Sequence, residues 1–188
     1  MIKIGTHDSV TGEKGGTFLS WLVAPFSITQ SKTLKEQYDA GCRLFDIRVK
    51  LHRGEWKCAH GLWVTKRNAY DIFNELNKFK GAIVSITYEG DADHQEEFIS
   101  FVDMLQSTFK NINYWYTAIK YGKDSKGILT VKYDFINMGT AKVSAKQGFL
   151  PLDGRSWHTY LPIPWLWKKI YHDKPKFNNK NYLIVDFL

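Results

Sequence analysis

Two histidines, an arginine and a set of carboxylates stand at the ends of apolar runs in the first third of the chain. They fall in Gly5-Thr6-His7-Asp8-Ser9, in Leu44-Phe45-Asp46-Ile47-Arg48 and in Cys58-Ala59-His60-Gly61. These side chains are sufficient to cleave a phosphodiester. One imidazole can take a proton, the other can give one, and a guanidinium can hold phosphate oxygens in a fork. Asp46 and Arg48 are two residues apart in a run with strand character, so they project from one face. Taken singly, each has a plainer reading. A lone histidine is more often structural than catalytic, and Asp46 with Arg48 can be a simple ion pair.

Such residues need a scaffold that delivers them to a common mouth, and α/β folds do so at strand ends. Residues 1–4 read as a strand that places His7 and Asp8 in a loop. Residues 10–30 read as irregular, with Gly15-Gly16 and an apolar cluster around Trp21. Residues 33–40 read as a short helix closed by Gly41. Residues 42–51 and 55–59 read as a hairpin. Residues 68–80 form a helix capped by Asn68, with Ile72, Phe73, Leu76 and Phe79 on one face. A strand is expected at 82–88, a helix at 93–109, and strands at 112–118, 128–133 and 182–188. Strand followed by helix, repeated, implies a mostly parallel sheet. The 188 residues suit a single domain, 1–188, but closed eight-stranded barrels usually need about 200 or more.

The net charge is +7 and the pI is near 9.3, which favours anionic partners such as a lipid surface. No groove-reading or RNA-binding signature accompanies that charge, so nucleic acid is not expected. Cys42 and Cys58 lie too far out of step across the hairpin to oppose one another, and both read as free thiols. His52, His94, His158 and His172 have no zinc-ligand spacing. No apolar run approaches the ~18 residues of a membrane-spanning helix. Met1-Ile2-Lys3-Ile4 reads as the first strand rather than a leader. The aromatic and basic segment around Trp165-Leu166-Trp167-Lys168-Lys169 has the composition of a bilayer interface.

The motifs resemble the X domain of phosphatidylinositol-specific phospholipases C, in particular the bacterial metal-independent branch. Ile4-Gly5-Thr6-His7-Asp8-Ser9 is similar to the family's first-histidine motif. Residues 31–41 are similar to the following helix, Phe45-Asp46-Ile47-Arg48 to the arginine motif, and His60-Gly61 to the second-histidine motif. Residues 83–89, 126–133 and 182–188 are similar to later strands. The resemblance implies a compressed or incomplete TIM-like (β/α) barrel of the phospholipase-C-like phosphodiesterase type. It implies that His7 is the general base, partnered by Asp186, and that Arg48 holds the phosphate, with Asp46 beside it. His60, kept charged by Asp8, would be the general acid. Glu89 and Lys132 would contact the inositol hydroxyls. The products would be diacylglycerol and a cyclic inositol phosphate. Arg48 stands where the metal-dependent branch has a calcium-binding carboxylate, so no metal and no other cofactor is expected. The partner would be phospholipid at a membrane surface, met by Trp21, Trp165 and Trp167, and no protein partner is expected. The location would be secreted or peripheral to a membrane if a leader had been removed, and otherwise cytoplasmic. The alternatives are a related enzyme acting on another phosphodiester and a non-catalytic membrane-binding relative.

Overall fold

The structure, a computed structural model, describes residues 3–123, 129–138 and 182–185. In chain order it contains β1 (Lys3–Thr6), α1 (Phe18–Ser27), α2 (Leu34–Asp39), β2 (Cys42–His52), β3 (Glu55–His60) and β4 (Trp63–Asn68). Then follow α3 (Ala69–Leu76), β5 (Ile83–Tyr88), α4 (Gln95–Thr108), β6 (Asn113–Lys123), β7 (Leu129–Met138) and β8 (Tyr182–Val185). The frame that carries the polar residues is a run of five parallel strands in the order β8-β1-β2-β5-β6. The far end of β2 also pairs with β3 in antiparallel register, and β3 pairs with β4.

Burial explains the frame. The central strand β5 is covered on both faces, with Val84, Ile86 and Tyr88 buried on one side and Ser85 and Thr87 on the other. That is the environment of an inner parallel strand. The helix α3 starts where the Asn68 side chain accepts a hydrogen bond from the amide of Asp71, and it packs Ile72, Phe73 and Leu76 inward. The helix α4 buries Phe98, Phe101, Val102 and Leu105. A capping box between Thr33 and Glu36 opens α2, and Gly41 (φ +98°) reverses the chain after it. The hairpin turns at Arg53-Gly54 and pairs Lys50 with Lys57. Cys42 and Cys58 are buried free thiols.

The described sheet is open: β7 runs antiparallel along β6 and β8 lies beside β1, and these two edges do not pair among the described residues. The parallel core with the last strand returning beside the first is present, and among the described residues it does not close into a barrel. Two expectations are corrected. First, residues read as irregular contain α1. Its cap is Thr17, whose side chain accepts from the amide of Ser20 at 2.9 Å. The helix accommodates Pro25 inside its last turn. Its pattern is inverted: Ser20 and Ser27 are buried, while Phe18, Leu19, Trp21, Leu22 and Phe26 are exposed. An inward apolar stripe, the usual helix signal, is therefore missing. Second, β4 forms over residues assigned, apart from the cap Asn68, to no element, because its partner β3 and the Ser20 hydroxyl satisfy its backbone.

Candidate active site

The site lies at the carboxyl ends of the parallel strands. β1 ends at Thr6, and His7 and Asp8 follow directly. Arg48 comes from β2, Glu89 follows β5, Lys120 comes from β6, and His60 ends the antiparallel strand β3. Register puts them at one level. Thr6 pairs with Phe45, Arg48 with Thr87, and Tyr88 with Ile119, so Glu89 and Lys120 continue side by side.

Asp8 is the centre of the arrangement. It sits in the left-handed region (φ +44°, ψ +51°), a conformation that aspartate tolerates better than most residues and that often marks functional positions. Its amide donates to Asp46 Oδ2 at 3.3 Å. Its buried carboxylate forms an ion pair with Arg48 Nε. Oδ2 lies 3.4 Å from His7 Nε2 and 3.3 Å from His60 Nε2. Both Asp8 oxygens lack a hydrogen bond of good geometry. Charge, rather than aligned hydrogen bonds, therefore holds this carboxylate, since three cationic or protonatable groups surround it.

Arg48 binds the whole set together. Besides Asp8, Nη1 meets Glu89 Oε1 at 2.7 Å and Nη2 meets His7 Nε2 at 2.6 Å. Asp46 Oδ2 lies 3.5 Å from Nε, and Ser85 Oγ donates to Asp46 Oδ1 at 3.1 Å. Burial alone would lower the Arg48 pKa. The carboxylates of Asp8, Asp46 and Glu89 outweigh it and hold the pKa above the usual arginine value. Of the five guanidinium N–H groups, one on each Nη is left for a ligand, the geometry of a two-pronged phosphate contact.

Hydrogen-bond partners assign the imidazole protons. A guanidinium can only donate, so His7 Nε2 accepts from Arg48 and His7 carries its proton on Nδ1. Its main-chain carbonyl is fixed by Thr29 Oγ1 and Gln30 Nε2 at 3.0 and 3.1 Å. His60 Nδ1 is 2.7 Å from the Ser27 carbonyl and must donate to it. Its Nε2 faces the Asp8 carboxylate. The ring centroids are 6.5 Å apart.

Glu89 closes the site on the opposite side. Oε1 meets Arg48 and, at 2.8 Å, Lys120 Nζ, while Oε2 accepts from the Gly61 amide at 2.9 Å. Burial pushes its pKa upward, but the charges of Arg48, Lys120 and His60 prevail and bring it down to about 2. Lys50, half-buried on the same face of β2 as Arg48, donates to the Gly61 carbonyl at 2.6 Å. Burial lowers its pKa.

The structure thus brings His7, Asp8, Asp46, Arg48, His60 and Glu89 together. Lys132 lies on β7. Asp186, Trp165 and Trp167 lie outside the described residues. Trp21 is 70% exposed on α1. Sequence reasoning missed Lys120. It supplies, from the next strand, a cation beside a stretch of β5 that carries none of its own. Its signal was one of register: Lys120 is the first residue past the partner of Tyr88. Among the described residues, His7, Asp8 and Asp46 could also hold a metal ion, but the Arg48 guanidinium already lies against all three.

No protein-family model matches the chain, and no curated protein matches it in sequence. Solved structures do. The chain is similar in fold to bacterial phosphatidylinositol-specific phospholipases C. A Staphylococcus aureus phosphatidylinositol-specific phospholipase C, from a structure concerned with its membrane binding, has a TM-score of 0.50 at 14% identity. That match covers 97% of this chain and 70% of the other. The Listeria monocytogenes phosphatidylinositol-specific phospholipase C has a TM-score of 0.47 at 17% identity over 72% of this chain, and this chain spans 57% of its length. At 14% identity the likeness to the Staphylococcus aureus structure is one of fold.

Proposed function

We propose that this chain is a phosphodiesterase of the phosphatidylinositol-specific phospholipase C type, acting on phospholipid by intramolecular transfer. One observation carries the reading: the Nε2 atoms of two histidines face the same Asp8 oxygen, with the free fork of Arg48 beside them. One imidazole is an acceptor and the other a donor, the division of labour that acid-base catalysis needs.

On this reading the substrate phosphate takes the two remaining Arg48 N–H groups and draws Nη2 away from His7. His7 Nε2 then removes the proton of the inositol 2-hydroxyl. That oxygen attacks phosphorus within the same molecule, so proximity supplies much of the rate. The phosphorus bond to the glycerol oxygen breaks, and His60 Nε2 gives its proton to that oxygen. Diacylglycerol leaves, and a cyclic inositol phosphate remains. Asp8 stabilises the charged form of His60, and Asp46 holds Arg48 and the Asp8 amide. Asp186 is proposed as the partner of the His7 base.

Arg48 meets the phosphate charge in the place of a metal ion, so turnover is expected to survive excess chelator. The exposed apolar side of α1, with Phe18 stacked on Trp21, is assigned to the lipid interface. Among the described residues no helix is long and apolar enough to cross a membrane.

The deciding experiment is product analysis with phosphatidylinositol vesicles. Cyclic inositol phosphate and diacylglycerol, formed in the presence of chelator, support the proposal. Release of phosphoinositol only in its open form, or dependence on added calcium, overturns it.

A further inference from the structure

We propose that Glu89 is a positioning residue for the general acid and does not contact the substrate headgroup. This rests on the phospholipase C reading for its catalytic consequence, but the contacts stand without it. A carboxylate has about four lone-pair positions. Glu89 uses one on the Gly61 amide and two on Arg48 and Lys120, and its side chain is 1% exposed. One position remains, but on a side chain this buried it offers no open face to a ring hydroxyl.

The bond to Gly61 matters for where that residue sits. Gly61 follows His60 and starts the turn into β4. It adopts φ +58°, a conformation that costs other residues a backbone penalty. The turn is otherwise exposed: Leu62 is 60% accessible. Glu89 fixes the amide of this turn from one side and Lys50 fixes its carbonyl from the other. His60 is thereby held between the turn and the Ser27 carbonyl. Lys120 and Arg48 hold the Glu89 carboxylate in turn, so the cations of two parallel strands set the ring of a histidine on an antiparallel one.

Glu89→Ala tests this with two independent readouts. The first is hydrogen exchange at the Gly61 amide, which should accelerate at least tenfold while β5 amides keep their protection. The second is the dependence on the leaving group. Loss of a well-placed acid should slow cleavage of a substrate with a poor alkoxide leaving group at least tenfold more than one with a nitrophenolate. Inhibition by free myo-inositol should change less than twofold. Glu89→Gln keeps an oxygen for Gly61 and should show a smaller effect on both; it also serves if the alanine variant does not fold. Unchanged Gly61 exchange overturns the proposal, as does a parallel rise in KM and in the myo-inositol inhibition constant without leaving-group dependence. If the unmodified protein cleaves no inositol phosphodiester, the functional reading fails, and the exchange measurement still decides whether Glu89 holds the turn.

Discussion

His7 and His60 meet the same Asp8 oxygen from different kinds of scaffold. His7 follows a strand with parallel partners on both sides, and the carbonyl of its own residue is pinned by Thr29 and Gln30. His60 ends a hairpin strand and depends on three reaches across the fold: the Ser27 carbonyl of α1, the Asp8 carboxylate and, through Gly61, Glu89. The proposed base side is thus built into the frame, while the proposed acid side is assembled on its surface. A change to the frame should damage both sides, whereas changes in α1 or in the Gly61 turn should damage the acid side alone.

The largest test is removal of each ring. His7→Ala and His60→Ala should each reduce cleavage by about 10²–10⁴ with melting temperature nearly unchanged, since both rings are partly exposed. A nitrophenolate leaving group should partly rescue only His60→Ala. Equal rescue of both, or more than a tenth of the activity left in either, would break the assignment. Next is Arg48→Lys. An ammonium cannot reach Asp8, Glu89, His7 and a phosphate in one geometry. The loss should be on the order of 10², and no leaving group should recover it, because Arg48 serves both sides.

How far this could be read from the chain divides along the same line. On the His7 side the placement of the residues was legible: Thr6-His7-Asp8 and Asp46-Ile47-Arg48 follow apolar β-branched runs, and period-two spacing put Asp46 and Arg48 on one face. Glu89 was legible as the end of an apolar strand, but the contacts that occupy it were not, since they come from elements far away in sequence. The acid side was harder. Pro25 and the outward apolar residues of α1 obscured its helical period, so the support under His60 had no local signal. β4 is short and mostly polar, and Lys120 is one of two lysines in a strand otherwise rich in aromatic residues. Closure into a barrel depends on how edges meet, which no local pattern reports.

The charge network also predicts a pH dependence. The Glu89 pKa is depressed from its ordinary 4.5 to about 2, against the opposing effect of burial, by Arg48, Lys120 and His60. A carboxylate with a lowered folded-state pKa adds stability that is fully present above its ordinary value and is lost as pH falls through the folded value. The stability difference between the unmodified protein and Glu89→Gln should therefore shrink between about pH 4.5 and pH 2. The amount lost should be on the order of 2–3 kcal/mol, read from denaturant midpoints at several pH values. A constant difference across that window would mean that the carboxylate charge contributes nothing to holding the turn.

The smallest effect on the folded protein is expected at the surface of α1, the element that carries the acid side toward solvent. Trp21 is 70% and Phe18 75% exposed, whereas Trp63 on β4 is 1% exposed. Truncating a buried tryptophan typically costs about 3–5 kcal/mol, so Trp63→Ala should destabilise strongly. Phe18→Ala with Trp21→Ala removes side chains that already face water, and the melting temperature should hardly move. Vesicle binding should weaken by about tenfold or more, as expected from losing two interfacial aromatic groups. Cleavage of phosphatidylinositol in vesicles should fall with it, while a soluble inositol phosphodiester is turned over at the original rate. Because Ser27 lies on the same helix as Trp21, the soluble substrate also reports whether the helix still orients His60. A fall on both substrates, sensitive to the leaving group, would place these aromatics in support of the acid side. A fall in stability would make them packing residues, and the contrast between an inward-facing frame and a lipid-facing α1 would no longer stand.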